Sequence, residues 1–200
     1  RRIPPTSETI RDTLMGEGWK RIREPSNLFW AFLFSIPFAL ISPLVSFMVI
    51  ALVEAEMASA LSEMFIEAAW SFTVRFDFII FTYLLIVFHE VVHLVLIPDF
   101  VRSMNTFVGI KPWGGFVFTS DKLSKGRFLM ISFGPFLALS VIFPIVLALF
   151  GVLGGFLVFL AMLNAAASSV DALNALLIFV QVPRHAVIIN NGFETYYKVE

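Results

Sequence analysis

Long runs of apolar residues, separated by segments that hold most of the charges, set the pattern of this chain. A transmembrane helix needs about 20 consecutive, mostly apolar residues. Four runs reach that length: residues 28 to 53, 78 to 97, 128 to 150 and 156 to 180. Prolines inside the first and third runs predict bent helices, because proline removes a backbone hydrogen bond. The pattern therefore predicts four membrane spans.

Two connecting segments have patterns of their own. In residues 54 to 70, apolar side chains recur at spacings of three and four, which predicts an amphipathic helix on the outer surface of the membrane. Residues 107 to 119 consist of two β-prone pieces around the sequence PWGG at 112 to 115, which predicts a hairpin or re-entrant loop. Trp113 would anchor this hairpin at the interface. Alternatively, one of its strands would pair with an extended substrate.

These elements predict an all-α integral membrane protein. The predicted fold is a bundle of about four transmembrane helices, with the amphipathic helix on the outer surface and the short hairpin between the second and third spans. Three parts are expected along the chain: a cytoplasmic N-terminal segment (1 to 27), a transmembrane domain (28 to 183) and a cytoplasmic C-terminal tail (184 to 200).

Composition supports the membrane prediction. Hydrophobic residues make up 58% of the chain, and 14% of residues are charged, compared with about 25% in soluble domains. Basic residues concentrate in 1 to 27 and 98 to 127, with two more in the tail, so both termini should face the cytoplasm. A cleaved signal peptide is the competing interpretation of the first run, but that run far exceeds the usual 7 to 15 residues.

Net charge and cysteine content narrow the chemistry. A formal net charge of -1 indicates no nucleic-acid partner. The chain has no cysteine, so any metal must bind to His, Asp or Glu.

The second run contains the sequence His89-Glu90-Val91-Val92-His93. Two histidines four residues apart lie on one face of a helix, where they can bind zinc, while the glutamate between them serves as a base. Ionisable groups within a membrane-length apolar helix are costly and indicate a function. Alternatively, the two histidines are ordinary core residues that hydrogen-bond with Glu90. In that case the charge of the Glu90 carboxylate would still have to be neutralised inside the apolar helix bundle.

A catalytic zinc usually has three protein ligands. Asp171 is the only acid in the fourth run, and the distances of Asp171 and His89 from the ends of their runs place both at the same depth. Asn164 lies on the same polar stripe of that run and could bind substrate or support the oxyanion. Asp99, six residues after His93, is the alternative third ligand, although Leu96 stands where such motifs have glycine. His185 is a weaker candidate.

Gly134-Pro135 in the third run lies at the estimated depth of the metal. Glycine permits a close approach of helices, and proline frees a backbone carbonyl that can accept a hydrogen bond inside the bundle. A simple kink would also account for this pair.

Together, these motifs resemble the site-2 protease superfamily of intramembrane zinc metalloproteases, with H-E-x-x-H in one span, Gly-Pro in the next and Asn before Asp in the last. Within it the chain is most similar to the bacterial family of putative zincin peptidases, which has no established function. The resemblance covers about residues 78 to 183. It implies that His89, His93 and Asp171 bind zinc, that Glu90 is catalytic and that the hairpin contacts substrate.

The chain also departs from that superfamily. Ala172 follows Asp171 where site-2 proteases typically have glycine, and the usual prolines between Asn164 and Asp171 are missing. Their substrates therefore do not carry over to this chain.

The resulting hypothesis is a zinc-dependent endopeptidase that cleaves membrane proteins or peptides within or beside the bilayer, in a bacterial inner membrane. Small residues in the fourth run allow a homo-oligomer. The alternative is a non-proteolytic zinc-binding membrane protein: a transporter, a sensor or an inactive scaffold. A transport path should show further ligands along other spans, and an inactive scaffold would not need Glu90.

Overall fold

A computed structural model of the chain describes residues 4–54, 76–111 and 114–199. The hairpin tip at 112 and 113 lies outside the described residues, and so does the amphipathic helix predicted for 54 to 70, apart from its first residue.

Helices form the body of the described structure. Asn27 caps α2, since its side chain accepts a hydrogen bond from the Trp30 N–H. The helices are α1 (Glu8–Gly16), α2 (Leu28–Val53), α3 (Phe76–Leu96), α4 (Lys125–Pro135), α5 (Phe143–Leu149), α6 (Gly155–Ala167) and α7 (Ser169–Gln181), with a π-helical segment, Phe136–Ile142, between α4 and α5.

Three helical stretches in the described part of the chain are long and apolar enough to cross a membrane. They cover residues 28–53, 78–96 and 125–149, and α6 with α7 makes a fourth when the pair, bent by 44°, is counted as one span.

The bent third stretch is tied to α2 through a proline. Pro144 has no N–H to donate to the carbonyl of Ser140 one turn earlier. The hydroxyl of Ser46 donates to that carbonyl instead, at 2.7 Å. Both serines are fully buried, so this bond satisfies a polar group that the helix leaves open.

Two antiparallel sheets accompany the helices. One contains β2 and β3 only. The other has the order β1-β6-β5-β4, and we call it the terminal sheet because it joins strands from both ends of the chain. The strands are β1 (Lys20–Arg21), β2 (Thr106–Lys111), β3 (Gly114–Thr119), β4 (Leu123–Ser124), β5 (Ala186–Asn191) and β6 (Glu194–Val199).

A two-residue loop connects β5 to β6, with Asn191 opposite Glu194. Gly192, at the first loop position, has φ +60°, as a type II′ hairpin requires. The terminal sheet packs on the end of α7 through one buried cluster: Ile22, Ile178, Val182, Ala186 and Ile188. This packing holds the terminal sheet at the C-terminal end of α7.

The predicted all-α fold is therefore wrong, since six strands in two antiparallel sheets accompany the helices. The hairpin expected at 107 to 119 is present as β2 and β3. The terminal sheet was missed because its strands are short and partly polar. Asn191-Gly192 between two β-prone pieces was the signal for β5 and β6.

Candidate metal centre

His89 and His93 lie one turn apart on α3, and both rings face Asp171 on α7. Nε2 of His89 is 3.3 Å and Nε2 of His93 is 3.4 Å from Oδ2 of Asp171. One ligand atom from each residue lies within 4.8 Å of the other two, and within residues 4–54, 76–111 and 114–199 no other group of His, Asp or Glu has this geometry. We call these three residues the candidate metal centre.

The second ring nitrogen of each histidine faces an oxygen acceptor, from which the tautomer is inferred. Nδ1 of His93 is 2.9 Å from the carbonyl of Ile131, which can only accept, so this nitrogen donates. Nδ1 of His89 is 2.9 Å from Oδ1 of Asn164, an acceptor as well. In a neutral ring, Nε2 then presents its lone pair toward Asp171. Three acceptors that meet in this way repel one another unless a cation lies between them.

Pro135 explains why the carbonyl of Ile131 can accept from His93. In an α-helix this carbonyl would accept from the N–H of residue 135, and proline has none. Gly134 permits the close approach of α4 to α3, because a Cβ there would lie 2.3 Å from Cδ1 of Leu96. Both expectations for Gly134-Pro135, the close approach and the freed carbonyl, are confirmed.

Asn164 on α6 lies behind His89 and is 1% exposed. Its amide nitrogen donates to the carbonyl of Pro135 at 3.0 Å and to Oγ of Ser140 at 2.8 Å. These two bonds fix which end of the amide faces His89. The placement favours orientation of the imidazole. The substrate or oxyanion role of Asn164 stays a prediction, and this geometry does not support it.

A break between α6 and α7 lets both helices contribute to the centre. The carbonyl of Asn164 accepts from both the N–H and the hydroxyl of Ser168, each at 2.9 Å. The chain bends by 44° at this point. Asn164 before the break and Asp171 after it thereby reach the same histidine.

Glu90 packs against Gly115 on β3. A Cβ on Gly115 would lie 2.4 Å from Cγ and 3.1 Å from Oε1 of Glu90. Only glycine therefore leaves the space that the Glu90 side chain occupies. A Cβ added to the neighbouring Gly114 would have no other atom within 4 Å.

A cavity of about 520 Å³ adjoins the candidate metal centre. Its walls come from α2, α3, α4, α7, β3 and the terminal sheet. Besides His89, Glu90, His93 and Asp171, the polar residues that line it include Glu24, Asn174, Asn190 and Thr195. The cavity is large enough for a short stretch of peptide.

The alternative ligands lie elsewhere. Asp99 follows the end of α3 with φ 51° and borders a separate surface cavity with Arg102 and Arg127. His185 is exposed in the turn before β5. Neither belongs to the group formed by His89, His93 and Asp171.

Several polar residues that line the cavity were given no role in the sequence analysis, among them Asn174 and Glu24. Asn174 lies one turn after Asp171, is exposed to the cavity, and its amide has no hydrogen-bond partner in the described part of the chain. Asn174 could have been found from the sequence, because it lies on the same polar stripe of the fourth run as Asn164 and Asp171. Glu24 lies in the charged N-terminal segment, where nothing in the sequence separates it from its neighbours.

The donor set fits zinc. Two imidazole nitrogens and one carboxylate oxygen make the three-ligand set of catalytic zinc sites and leave a position for water. Each imidazole also donates its other N–H to an oxygen, as zinc-binding histidines do. Zinc at this point would be held by Nε2 of His89, Nε2 of His93 and the carboxylate of Asp171.

The comparison with known families agrees with this chemistry. The family described as "Putative zincin peptidase" matches residues 82–187, and the chain belongs to it. The matched range includes the candidate metal centre, Glu90 and the β2–β3 hairpin. No curated protein and no solved structure matches the chain.

Proposed function

We propose that this chain is a zinc-dependent endopeptidase that hydrolyses peptide bonds of membrane proteins within or beside the bilayer. One observation carries the proposal: His89, His93 and Asp171 converge beside Glu90 in a cavity that the edge of β3 borders. Membership of the zincin peptidase family supports the hydrolytic chemistry. Three apolar helices, or four with the bent pair, support an active site at membrane depth.

Zinc, when bound, lowers the pKa of water and polarises the carbonyl of the scissile bond. Glu90 accepts the proton of the attacking water on its carboxylate and transfers it to the leaving amine. Asn164 and the carbonyl of Ile131 hold the two imidazole rings in place. Gly115 leaves the space that Glu90 needs.

The outer edge of β3 is suited to bind an extended substrate. In the described residues β3 pairs only with β2. The Thr119 carbonyl accepts from Nδ2 of Asn190 at 3.1 Å, so it points away from β2. Alternate residues of a strand share this orientation, so the backbone groups of Gly115 and Val117 also face outward. A peptide added at this edge would run past Glu90.

One compact group of ligands favours a reaction centre over a transport path. Within the described ranges, His89, His93 and Asp171 are the only cluster of three or more potential ligands. A carrier would need further ligands along its path.

The test compares membranes from cells that produce the wild-type protein or Glu90→Gln. Mass spectrometry of new protein N-termini should find cleavage products, near the ends of transmembrane segments, with the wild type only. Identical sets of N-termini from both samples, with equal amounts of folded protein, would contradict the proposal.

A further inference from the structure

Glu24 is a second acid in the wall of the cavity, outside the candidate metal centre. It lies between β1 and α2 and is half-buried. Its carboxylate accepts two hydrogen bonds from Thr195 on β6, one from the backbone N–H at 2.8 Å and one from the hydroxyl at 3.0 Å. The side chain is thus held in one position by the terminal sheet.

The charge of Glu24 is not paired within the described residues. Both of its donors are neutral, and no Lys, Arg or His nitrogen of the described chain lies within 4.0 Å of its carboxylate. Arg21 on the neighbouring strand pairs with Glu194 at 2.8 Å instead. Burial raises the pKa of Glu24, although the hydrogen bonds from Thr195 and the charge of Arg21, which is not in contact with it, oppose this effect. A half-buried carboxylate without a counter-ion in direct contact is costly, and a positively charged ligand would reduce this cost.

A chain of polar contacts places Glu24 at one end of β3. Gly115 contacts Glu90, and Thr119 lies four residues further along the strand. At about 3.3 Å per residue, this is about 13 Å from the reaction centre. The carbonyl of Thr119 accepts from Nδ2 of Asn190. Oδ1 of Asn190 is 3.2 Å from the Thr195 hydroxyl, whose one hydrogen is directed either to this oxygen or to Glu24. Thr195 in turn holds Glu24.

We propose that Glu24, with Asn190 and Thr195, forms a subsite for one lysine or arginine side chain of the substrate. A peptide that runs along the outer edge of β3 from the reaction centre reaches this subsite about four to six residues from the bond that is cleaved. The inference rests on the proposed function and specifies its substrate class. The substrate is a membrane protein with a basic residue close to the end of an apolar segment, where lysine and arginine are common.

The test uses synthetic peptide hydroxamates, in which the hydroxamate binds zinc and one lysine is placed at successive positions from three to seven residues away. Norleucine replaces lysine in the reference peptides. Binding to the zinc-loaded wild-type protein is measured in detergent. At the best position, lysine should strengthen binding about tenfold over norleucine, as expected for a charge-assisted hydrogen bond.

Variants identify the residue responsible. Glu24→Gln keeps the shape and can still bond with Thr195, and it should remove the lysine preference while it retains zinc and binding of the norleucine peptide. Glu24→Lys should prefer a glutamate peptide. Asp12→Asn removes a charge from α1, away from the cavity lining, and should change nothing.

The outcomes separate the two proposals. A wild-type protein that binds the norleucine hydroxamates through zinc but shows no lysine preference at any position would overturn the subsite alone. The same follows if Glu24→Gln keeps the preference. If none of the hydroxamates binds, norleucine peptides included, the zinc centre is overturned and the subsite with it. The lysine scan on the wild type decides the matter even if Glu24→Gln does not fold.

Discussion

Among the described residues, Glu194 and Asp171 are two carboxylates that each face two nitrogen-bearing side chains. The two differ in the charge of those side chains. Glu194 in the terminal sheet binds Arg11 at 2.5 Å and Arg21 at 2.8 Å and accepts a hydrogen bond from the Tyr196 hydroxyl. Asp171 faces the Nε2 atoms of two imidazoles, and in neutral rings the protons lie on the opposite nitrogens, which face oxygen acceptors.

The comparison distinguishes a carboxylate that stabilises the fold, Glu194, from one that is placed to bind a cation, Asp171. Guanidinium groups are permanently charged donors, so the Glu194 cluster needs no further partner. The group around Asp171 consists of acceptors that converge, and it becomes favourable when a cation lies at its centre. Glu24 accepts hydrogen bonds only from the neutral Thr195 among the described residues, and the basic subsite proposed above is based on this.

The largest expected effect comes from Glu90→Gln. This change removes the proton acceptor and leaves the three ligands in place. We expect peptide hydrolysis to fall by about 10²- to 10⁴-fold or more, with one zinc per chain retained. Cleavage of a substrate found by N-terminal mass spectrometry, measured beside metal analysis, tests this. Full activity in Glu90→Gln would remove Glu90 from the mechanism.

Gly115→Ala should disturb Glu90 without a change in its chemistry. The added Cβ would lie 2.4 Å from Cγ of Glu90, and a displacement of about 1 Å at a reaction centre can cost about 100-fold in rate. We expect a large loss of cleavage with zinc content unchanged. Gly114→Ala is the matched control, because its Cβ meets no atom within 4 Å. Equal activities of the two variants would mean that Glu90 does not need this space.

Asn164→Ala should weaken zinc binding by about 10- to 100-fold, because the His89 ring loses the group that orients it. Competition with a chromogenic chelator measures the affinity. Ser46→Ala is the control: it removes a buried hydrogen bond to the same π-helical segment but contacts neither histidine. Unchanged zinc affinity in Asn164→Ala would assign this residue to packing alone.

The smallest effect is expected from Glu194→Gln, in the cluster of Glu194 with Arg11 and Arg21. Burial raises the pKa of Glu194, but hydrogen bonds from Arg11 and Tyr196 and the charge of Arg21 outweigh it, so the pKa lies below its usual value of 4.5. Glu194→Gln should lower the free energy of unfolding by about 1–2 kcal/mol at neutral pH, a modest value because both guanidinium groups are partly exposed. Zinc content should not change.

The pH dependence of this effect has a definite sign. A carboxylate whose pKa is lowered by folding stabilises the fold above its unfolded pKa, and this contribution is lost as the pH falls through the folded value. Thermal unfolding of wild type and Glu194→Gln should therefore differ at pH 7 and converge below pH 4.5. A constant difference across that range would contradict the assignment.

The helices and the two histidines were predictable because each follows from local spacing. Apolar runs of membrane length and the i, i+4 pair of His89 and His93 depend on no distant residue. Asp171 could be predicted because it and His89 lie equally far from the ends of their apolar runs. In the structure, Oδ2 of Asp171 lies within 3.4 Å of Nε2 of both histidines.

Features that depend on distant pairing were not predictable in this way. The terminal sheet joins β1 to β6 across almost the whole chain. Glu24 reaches the cavity only because Thr195, 171 residues later, holds its carboxylate. Asn164 was identified as important, but its direction toward His89 depends on the bend at Ser168.

The most direct test of the central claim is the zinc content of the detergent-purified protein, compared among wild type, His89→Ala, Asp171→Ala and Asp99→Ala. We expect about one zinc per chain in the wild type and in Asp99→Ala, and loss of zinc in His89→Ala and Asp171→Ala, with all four proteins folded. Zinc retained in Asp171→Ala, or lost in Asp99→Ala, would contradict the ligand set His89, His93 and Asp171.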